Sequence, residues 1–197
     1  FIMSTISILI SVAFYTILER KILSYMQIRK GPNKVGILGI LQPFSDAIKL
    51  FNKNLMTSET MNFTMMYLTP ALSLSISIMM IPIMTFNKYP MFDNKHSILL
   101  FFILSSLSVY IILMIGWTAN SKYCHLGSIR SVAQMISYEV SFFLIILFIT
   151  IMSNSYSLTQ ISESQHMMAF MWGNSVLLII WMMSCLAETN RSPFDFA

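Results

Sequence analysis

The sequence predicts an all-α fold: a polytopic bundle of about five transmembrane helices, with an amphipathic helix in the first loop. Hydrophobic residues make up 56% of the 197 residues, and charged residues only 10%. A soluble domain carries roughly 25% charged residues, and the mean hydropathy of this chain is +0.70. A chain so poor in charge cannot cover its surface for water, which excludes a water-soluble protein.

Apolar runs long enough to cross a bilayer predict the individual helices. Spanning about 30 Å of hydrocarbon takes roughly 20 apolar residues. The predicted membrane helices are Phe1–Leu18, Met65–Phe86, Ser97–Trp117, Val132–Met152 and Met167–Ala187. The first is not expected to be a signal peptide, since no basic segment precedes it and no small-residue cleavage site follows it. A chain that opens inside an apolar run without Met is expected to be a fragment of a longer protein, with residues 1–197 forming a single membrane domain.

Lysine and arginine are distributed unevenly between the two sides of the predicted bundle. Alternate loops share a side, so the first loop (Glu19–Met61), the third loop and the C-terminal tail lie together. They carry ten of the 12 Lys and Arg residues, whereas the second loop carries only Lys88 and Lys95. Because basic loops stay on the inner side of a membrane, we expect the first and third loops inside and the N-terminus outside.

The first loop is more than a connector. Gly31-Pro32-Asn33 predicts a turn, and apolar residues then recur at helical spacing from Ile40 to Phe51. Pro43 suits the first turn of a helix that runs to about Asn52. Such a helix would be amphipathic, lying on the membrane surface or against protein. Packing against protein is favoured, because Asp46 would lie near the apolar face.

Glu139 is a charge inside an apolar run, about two turns into the fourth predicted helix. An ionised side chain at the centre of a bilayer costs ~2.5–3.5 kcal/mol, so such residues usually face a cavity or a partner. Arg130 lies roughly half a helical turn away from Glu139 around the axis, so the two are not expected to pair. Tyr138 offers a hydroxyl to a proton path. A functional acid is favoured over a tolerated acid that reaches the membrane surface.

A second polar cluster follows the fifth predicted helix. Glu188 and Arg191 are three positions apart, close enough to pair as neighbours on a helix. Pro193 disfavours helical geometry at Ser192 and is expected to end the helix there, and Asp195 follows in the turn. An ordinary helix end with side chains reaching into water remains the alternative.

The sequence offers no motif for a metal or an organic cofactor. The two cysteines, Cys124 and Cys185, match neither a metal-ligand spacing nor a disulfide framework. The three histidines lie in different loops. We therefore expect this chain to hold no metal and no bound cofactor.

Three separated stretches carry a resemblance to a known family: ERKILSYMQIRKGPNKVGILGILQPFSDAIKL, GWTANSKYCHLGSIRSVAQMISYEVSFF and LAETNRSPFDFA. In this order they resemble the chain 1 family of NADH-ubiquinone oxidoreductase, the membrane subunit of mitochondrial respiratory complex I. The resemblance covers essentially the whole chain, and the Met- and Ile-rich composition resembles arthropod mitochondrial copies. Members of this family are longer, and an acid-rich inner loop follows the position that matches Ala197.

The resemblance implies roles for particular residues. Those implied to line a quinone tunnel or its junction with a proton channel are Glu19, Arg20, Arg29 and Asp46. Those implied to form the proton path through buried carboxylates are Glu139, Glu188, Asp195 and Tyr138, with Arg191 in support. Beside the predicted turn, Arg29 is expected to orient the quinone head group or to pair with Asp46.

The resemblance also implies a setting. The chain would act as a subunit of the H+-translocating NADH:ubiquinone reductase of the mitochondrial inner membrane, with ubiquinone as substrate and no independent catalysis. Flavin and iron–sulfur clusters would belong to partner subunits. The implied partners are the other membrane-arm and quinone-module subunits of complex I, ubiquinone and lipid, and no nucleic acid. Two alternatives stay open: a stand-alone ion or proton transporter, and the membrane subunit of a related hydrogenase.

Overall fold

The computed structural model describes residues 2–54, 59–84, 94–166, 168–191 and 194. Within these residues every regular element is a helix, so the predicted all-α membrane bundle is confirmed. The chain divides into two compact units, Phe1–Met56 and Thr57–Ala197, and each is described by itself. A single membrane domain over 1–197 stays a prediction. Lys88 and Asp195 lie outside the described residues.

The first unit begins with α1, which runs from Ile2 to Met26. It was predicted to end at Leu18 but continues for two further turns, because Glu, Arg and Lys are good helix formers. A tight turn follows, in which the Arg29 N–H donates to the Ser24 carbonyl at 2.8 Å. Gly31 has φ 65°, and a Cβ there would meet the Ser24 hydroxyl at 2.6 Å. The turn therefore needs glycine, as its sequence predicted.

The predicted amphipathic helix is present as α2, Gln42–Phe51, with Pro43 in its first turn. Phe44 contacts Phe14 of α1 edge-to-face, with the ring centroids 6.2 Å apart. The remaining apolar side chains are open: Ile48 is 70% exposed and Phe51 is 92% exposed. Within its own unit, α2 thus keeps most of its apolar face uncovered.

The second unit contains three long helices that pack side by side: α3 (Phe63–Met80, continued by a 3₁₀ turn to Ile83), α4 (Ser97–Thr118) and α5 (Lys122–Ser153). At one end of the bundle, the Asn62 N–H donates to the Thr118 carbonyl at 3.1 Å. At the other end, the Leu158 N–H donates to the Ser97 hydroxyl at 2.9 Å. Successive loops therefore alternate between the two ends, as a polytopic bundle requires.

Helix α5 is longer than predicted, with 32 residues in place of the apolar run that begins at Val132. Its true start is Ser121, whose hydroxyl accepts from the Cys124 N–H at 3.3 Å and so caps the helix. At 1.5 Å per residue α5 is about 48 Å long, well beyond the roughly 30 Å of a hydrocarbon core. About a third of α5 therefore exceeds the length needed for a minimal membrane crossing.

The fifth predicted helix is interrupted. A four-residue helix, α7 (Phe170–Gly173), is separated from α8 (Ser175–Glu188) by Asn174, whose backbone is not helical. The 14 residues of α8 extend about 21 Å, which is short for a complete crossing. Four helices of the described chain are long and apolar enough to span a membrane. A short helix, α6 (Leu158–Ser164), precedes α7 and was not predicted.

The end of α8 corrects the expectation that Pro193 ends this helix at Ser192. The helix ends at Glu188, because Asn190 adopts the left-handed conformation with φ 49°. The Asn190 N–H then donates to the Ala187 carbonyl, and the Arg191 N–H donates to the Leu186 carbonyl, both at 3.3 Å. These bonds satisfy the last carbonyls of the helix, and Arg191 lies beyond it.

Candidate functional site

Glu139 lies in the middle of α5, half-buried against α4. It faces an open groove of about 560 Å³ whose walls are almost entirely apolar. Ser106 of α4 is the other polar residue of the groove, which is completed by Leu99, Phe102, Ile103, Ile136, Val140 and Phe143. A carboxylate among apolar side chains loses hydrogen bonds to water and gains few hydrogen bonds to protein groups in return.

Glu188, the last residue of α8, is the second acid of this region and lies after the predicted membrane segment. Burial, and secondly the nearby charge of Glu139, raise the pKa of Glu188 above its ordinary value. Glu188 therefore keeps its proton to a higher pH than an exposed glutamate does. The packing of α8 on α5 thus brings together two acids that lie far apart in the sequence.

Gln134 links the same two helices. Its side-chain amide donates to the Ala187 carbonyl at 3.1 Å, and Ala187 is completely buried. The bond joins α5 to the last turn of α8, directly beside Glu188. Gln134 was not among the predicted site residues, although an amide within an apolar run was a signal that could have pointed to it.

Tyr138 contacts the segment that follows α8. Its ring lies 5.6 Å from that of Phe194, centroid to centroid, at an angle of 58°. The Phe194 N–H donates to the Arg191 carbonyl at 2.8 Å, forming a turn. Phe194 therefore lies against α5 at the residue before Glu139, while Asp195, predicted to belong to the proton path, lies outside the described residues.

The first unit holds a separate polar cluster between α1 and α2. Arg20 Nη1 lies 3.4 Å from Asp46 Oδ2, and the Gln42 side-chain amide donates to the other oxygen of Asp46 at 3.0 Å. The side chains of Arg20 and Asp46 are 58% and 41% exposed, so this pair stabilises the fold by no more than about 1 kcal/mol. Its main effect is to hold the Asp46 carboxylate in one position beside the exposed face of α2.

Of the other residues predicted for this cluster, Glu19 is half-buried in α1 next to Arg20. Arg29 is exposed, and its Nε donates to the Gln27 side chain at 2.8 Å. The expected pairing of Arg29 with Asp46 is not found, because Arg20 takes that place. The extension of α1 past Leu18 is the reason, since it presents Arg20 to α2 from a rigid helix.

Among the described residues, no three His, Cys, Asp or Glu side chains are grouped so as to hold a metal ion. Both cysteines are free thiols. What the site residues can do is bind polar groups beside apolar surface, and hold or pass a proton between carboxyl groups.

The helices and the site residues indicate a class of protein: a polytopic α-helical membrane protein with two half-buried acids, Glu139 and Glu188, on packed helices. The sequence model of the family described as "NADH dehydrogenase" matches residues 1–197, and the chain belongs to this family. Proteins named NADH-ubiquinone oxidoreductase chain 1 are similar to it over nearly its whole length. The chain is 45% identical to the protein from Balaenoptera physalus (95% of this chain, 59% of the relative), 46% to that from Paracentrotus lividus (96% and 58%) and 44% to that from Aedes aegypti (98% and 61%).

The chain thus spans about three fifths of the length of the curated relatives that it matches. The relatives include an arthropod, at an identity close to that of the whale and sea-urchin proteins.

Proposed function

We propose that this chain is a core membrane subunit of the proton-pumping NADH:ubiquinone oxidoreductase of the mitochondrial inner membrane. The observation that carries the proposal is the family match over all 197 residues, together with relatives that bear the name of this enzyme. In this proposal ubiquinone is the substrate, and the chain binds no cofactor of its own. NADH oxidation, flavin and the iron–sulfur clusters belong to partner subunits, so the chain does not act alone.

The second unit supplies the proton path in this proposal. Glu139 and Glu188 are its main acids, with Tyr138 and Asp195 as further members and Arg191 in support. The repulsion between Glu139 and Glu188 supports this assignment, since two nearby acids hold their protons interdependently. A proton arriving at one of them lowers the cost of ionising the other, which is a physical means of passing charge along a row of acids.

The first unit supplies residues of the quinone site: Glu19, Arg20, Arg29 and Asp46. An isoprenoid quinone has a polar head and a long apolar tail, so its site needs hydrogen-bonding groups next to apolar surface. The Arg20–Asp46–Gln42 cluster beside the uncovered face of α2 has that combination. Reduction of the head group takes up protons as well as electrons, and the resulting change of charge would shift protons among the buried acids.

The orientation of the chain is part of the proposal. The first and third loops lie in the matrix and the N-terminus lies on the intermembrane-space side. The ten-to-two distribution of basic residues supports this orientation. The partners are the other membrane-arm and quinone-module subunits of complex I, with lipid around the rest of the bundle.

Purification of the protein from its native membrane under mild detergent tests the assignment. We expect it to bring down flavin- and iron–sulfur-containing subunits that oxidise NADH. A chain that stays monodisperse and active in ion transport without such subunits would overturn the proposal in favour of a transporter. Co-purification of subunits that oxidise hydrogen, with no NADH oxidation, would instead indicate the hydrogenase alternative.

A further inference from the structure

An open groove of about 580 Å³ lies where the end of α4 meets the start of α5. Its polar rim is formed by Ser121, Lys122 and His125. Its apolar floor is formed by Trp117, Leu126 and Ile129. Among the described residues, no aspartate or glutamate lines this groove. The groove therefore combines a basic end with an apolar path along α5.

A close contact fixes the level of α5 relative to α4. A Cβ at Gly116 would collide with the side chain of Ser128, so these two positions lie side by side. Thr118, the last residue of α4, is two positions from Gly116. At 1.5 Å per residue, Lys122 then lies about 6 Å beyond the end of α4 along the helix axis, whereas Leu126 lies level with that end.

These levels place the groove at the boundary of the hydrocarbon. The 22 residues of α4 extend about 33 Å, close to the roughly 30 Å of a hydrocarbon core, and the head-group layer on each side is roughly 5–8 Å thick. Lys122 therefore lies in the head-group layer, and Ile129 lies just inside the hydrocarbon. Trp117, which is 75% exposed, lies at the boundary, where tryptophan is common in membrane proteins.

The rim offers donors that the protein itself does not use. Within the described chain, the side chains of Lys122 and His125 have no hydrogen-bond or ion-pair partner. The Ser121 hydroxyl accepts from the Cys124 N–H at 3.3 Å, and a hydroxyl that accepts can still donate its proton. Several donors beside a fixed positive charge complement an anion that has several acceptor oxygens, such as a phosphate group.

We propose that this groove is a binding site for an anionic phospholipid. Its phosphate oxygens accept from the donors of the rim, and one acyl chain continues along the floor into the hydrocarbon. A free phosphate would leave the floor uncovered, and an apolar chain alone would leave the cation of Lys122 without a partner. Lysine near a membrane surface attracts lipids with a net negative charge, which favours an anionic over a zwitterionic head group. The site lies within the second unit and stands independently of the proposed function.

Photo-crosslinking in the assembled native complex, reconstituted into phosphatidylcholine nanodiscs, tests the site. Two probes carry the same diazirine in an acyl chain: anionic phosphatidylglycerol and zwitterionic phosphatidylcholine. We expect the phosphatidylglycerol probe to label the peptide that contains Leu126 and Ile129 severalfold more strongly. Unlabelled phosphatidylglycerol should compete with this labelling, and inorganic phosphate should not.

Three results of this experiment would overturn the proposal. Equal labelling by both probes would reduce the groove to a contact with bulk lipid. Displacement of the probe by inorganic phosphate alone would indicate a free-phosphate site. Absence of labelling by either probe would indicate that a segment of a partner subunit fills the groove.

Matched variants of lysine identify the residue that recognises the charge. Lys122→Gln should lower labelling by the phosphatidylglycerol probe about fivefold, since a basic residue near an anionic membrane surface contributes about 1 kcal/mol. Lys122→Arg keeps the charge and should retain most of the labelling. Lys95→Gln is the control, because it removes an exposed cation at the other end of α4. An unchanged yield in Lys122→Gln, or an equal loss in Lys95→Gln, would contradict the site.

Discussion

Glu139 and Asp46 are both acids near apolar surface, but their environments differ. Asp46 has a cation and an amide on its two oxygens, which hold its carboxylate in one position. Glu139 faces a groove of apolar side chains with one serine. The first arrangement fits the proposed role of Asp46 in positioning a polar ligand, and the second fits the proposed role of Glu139 in the proton path.

A substitution at Arg20 separates positioning from stability. Arg20→Met in the assembled complex should raise the KM for quinone and lower quinone reductase activity, because Asp46 loses the cation that orients it. NADH oxidation by a hydrophilic artificial acceptor should be unchanged, and stability should fall by less than about 1 kcal/mol because the pair is largely exposed.

Lys21→Met is the matched control for this substitution, since it removes a neighbouring cation of α1 that is not assigned to the site. A loss of both electron-transfer activities with assembly intact would refute the local role of Arg20. An equal effect of Lys21→Met would show that only the total charge matters.

The residues that could be predicted most clearly from the sequence are those whose charge is costly to place in a membrane. Glu139 could be identified because it interrupts an apolar run, and Glu188 because it ends one. The partner of Asp46 could not be identified, because it depends on α1 continuing as a helix past Leu18. Gln134 was missed for a similar reason, since the groups that a neutral amide bonds are set by tertiary packing alone.

At the scale of the helices, individual residues set helix boundaries that hydropathy does not predict. Ser121 caps α5, which begins at Lys122, ten residues before the apolar run. A capped helix does not need apolar residues in its first turns. Asn190 ends α8 before Pro193 is reached. The interruption at Asn174 was hidden, since a Gly-Asn pair inside an apolar run is compatible with either a break or a continuous helix.

The α4–α5 hairpin depends on a close approach at Gly116. A Cβ at this position would collide with the side chain of Ser128, whose hydroxyl is held by the His125 carbonyl at 2.9 Å. Gly116→Ala should therefore destabilise the assembled protein by ~1–3 kcal/mol, as overpacking of a core does. The thermal unfolding midpoint in detergent measures the effect.

Gly127→Ala is the control for this prediction, because a Cβ there meets nothing within 4 Å. It should be neutral or stabilise α5 by about 0.5–1 kcal/mol. Adding Ser128→Gly to Gly116→Ala should restore part of the lost stability. If Gly116→Ala behaves like Gly127→Ala, the hairpin does not pack as closely as described.

At the scale of the whole molecule, most of the apolar helix surface is uncovered within the described chain. Of the four candidate membrane helices, α4 is the best covered, with 28% of the residues in its most apolar stretch buried. In α1 the corresponding share is only 6%. Surfaces of this kind require lipid or partner helices around them. The groove at Glu139 is one such surface, so in the proposed complex its acid would face either a neighbouring helix or water held against one.

The proposed role of Glu139 as a proton carrier can be measured as the number of protons pumped per electron. Glu139→Gln keeps the shape of the side chain and removes its titrating proton. Glu139→Asp keeps the proton but moves it by one methylene group. The control is Glu163→Gln, which changes an exposed acid of α6. In assembled enzyme reconstituted into sealed vesicles, we expect pumping to be lost in Glu139→Gln, partly retained in Glu139→Asp and normal in Glu163→Gln. Normal turnover with a normal number of protons pumped per electron in Glu139→Gln would contradict the account and leave Glu139 with a role in packing alone.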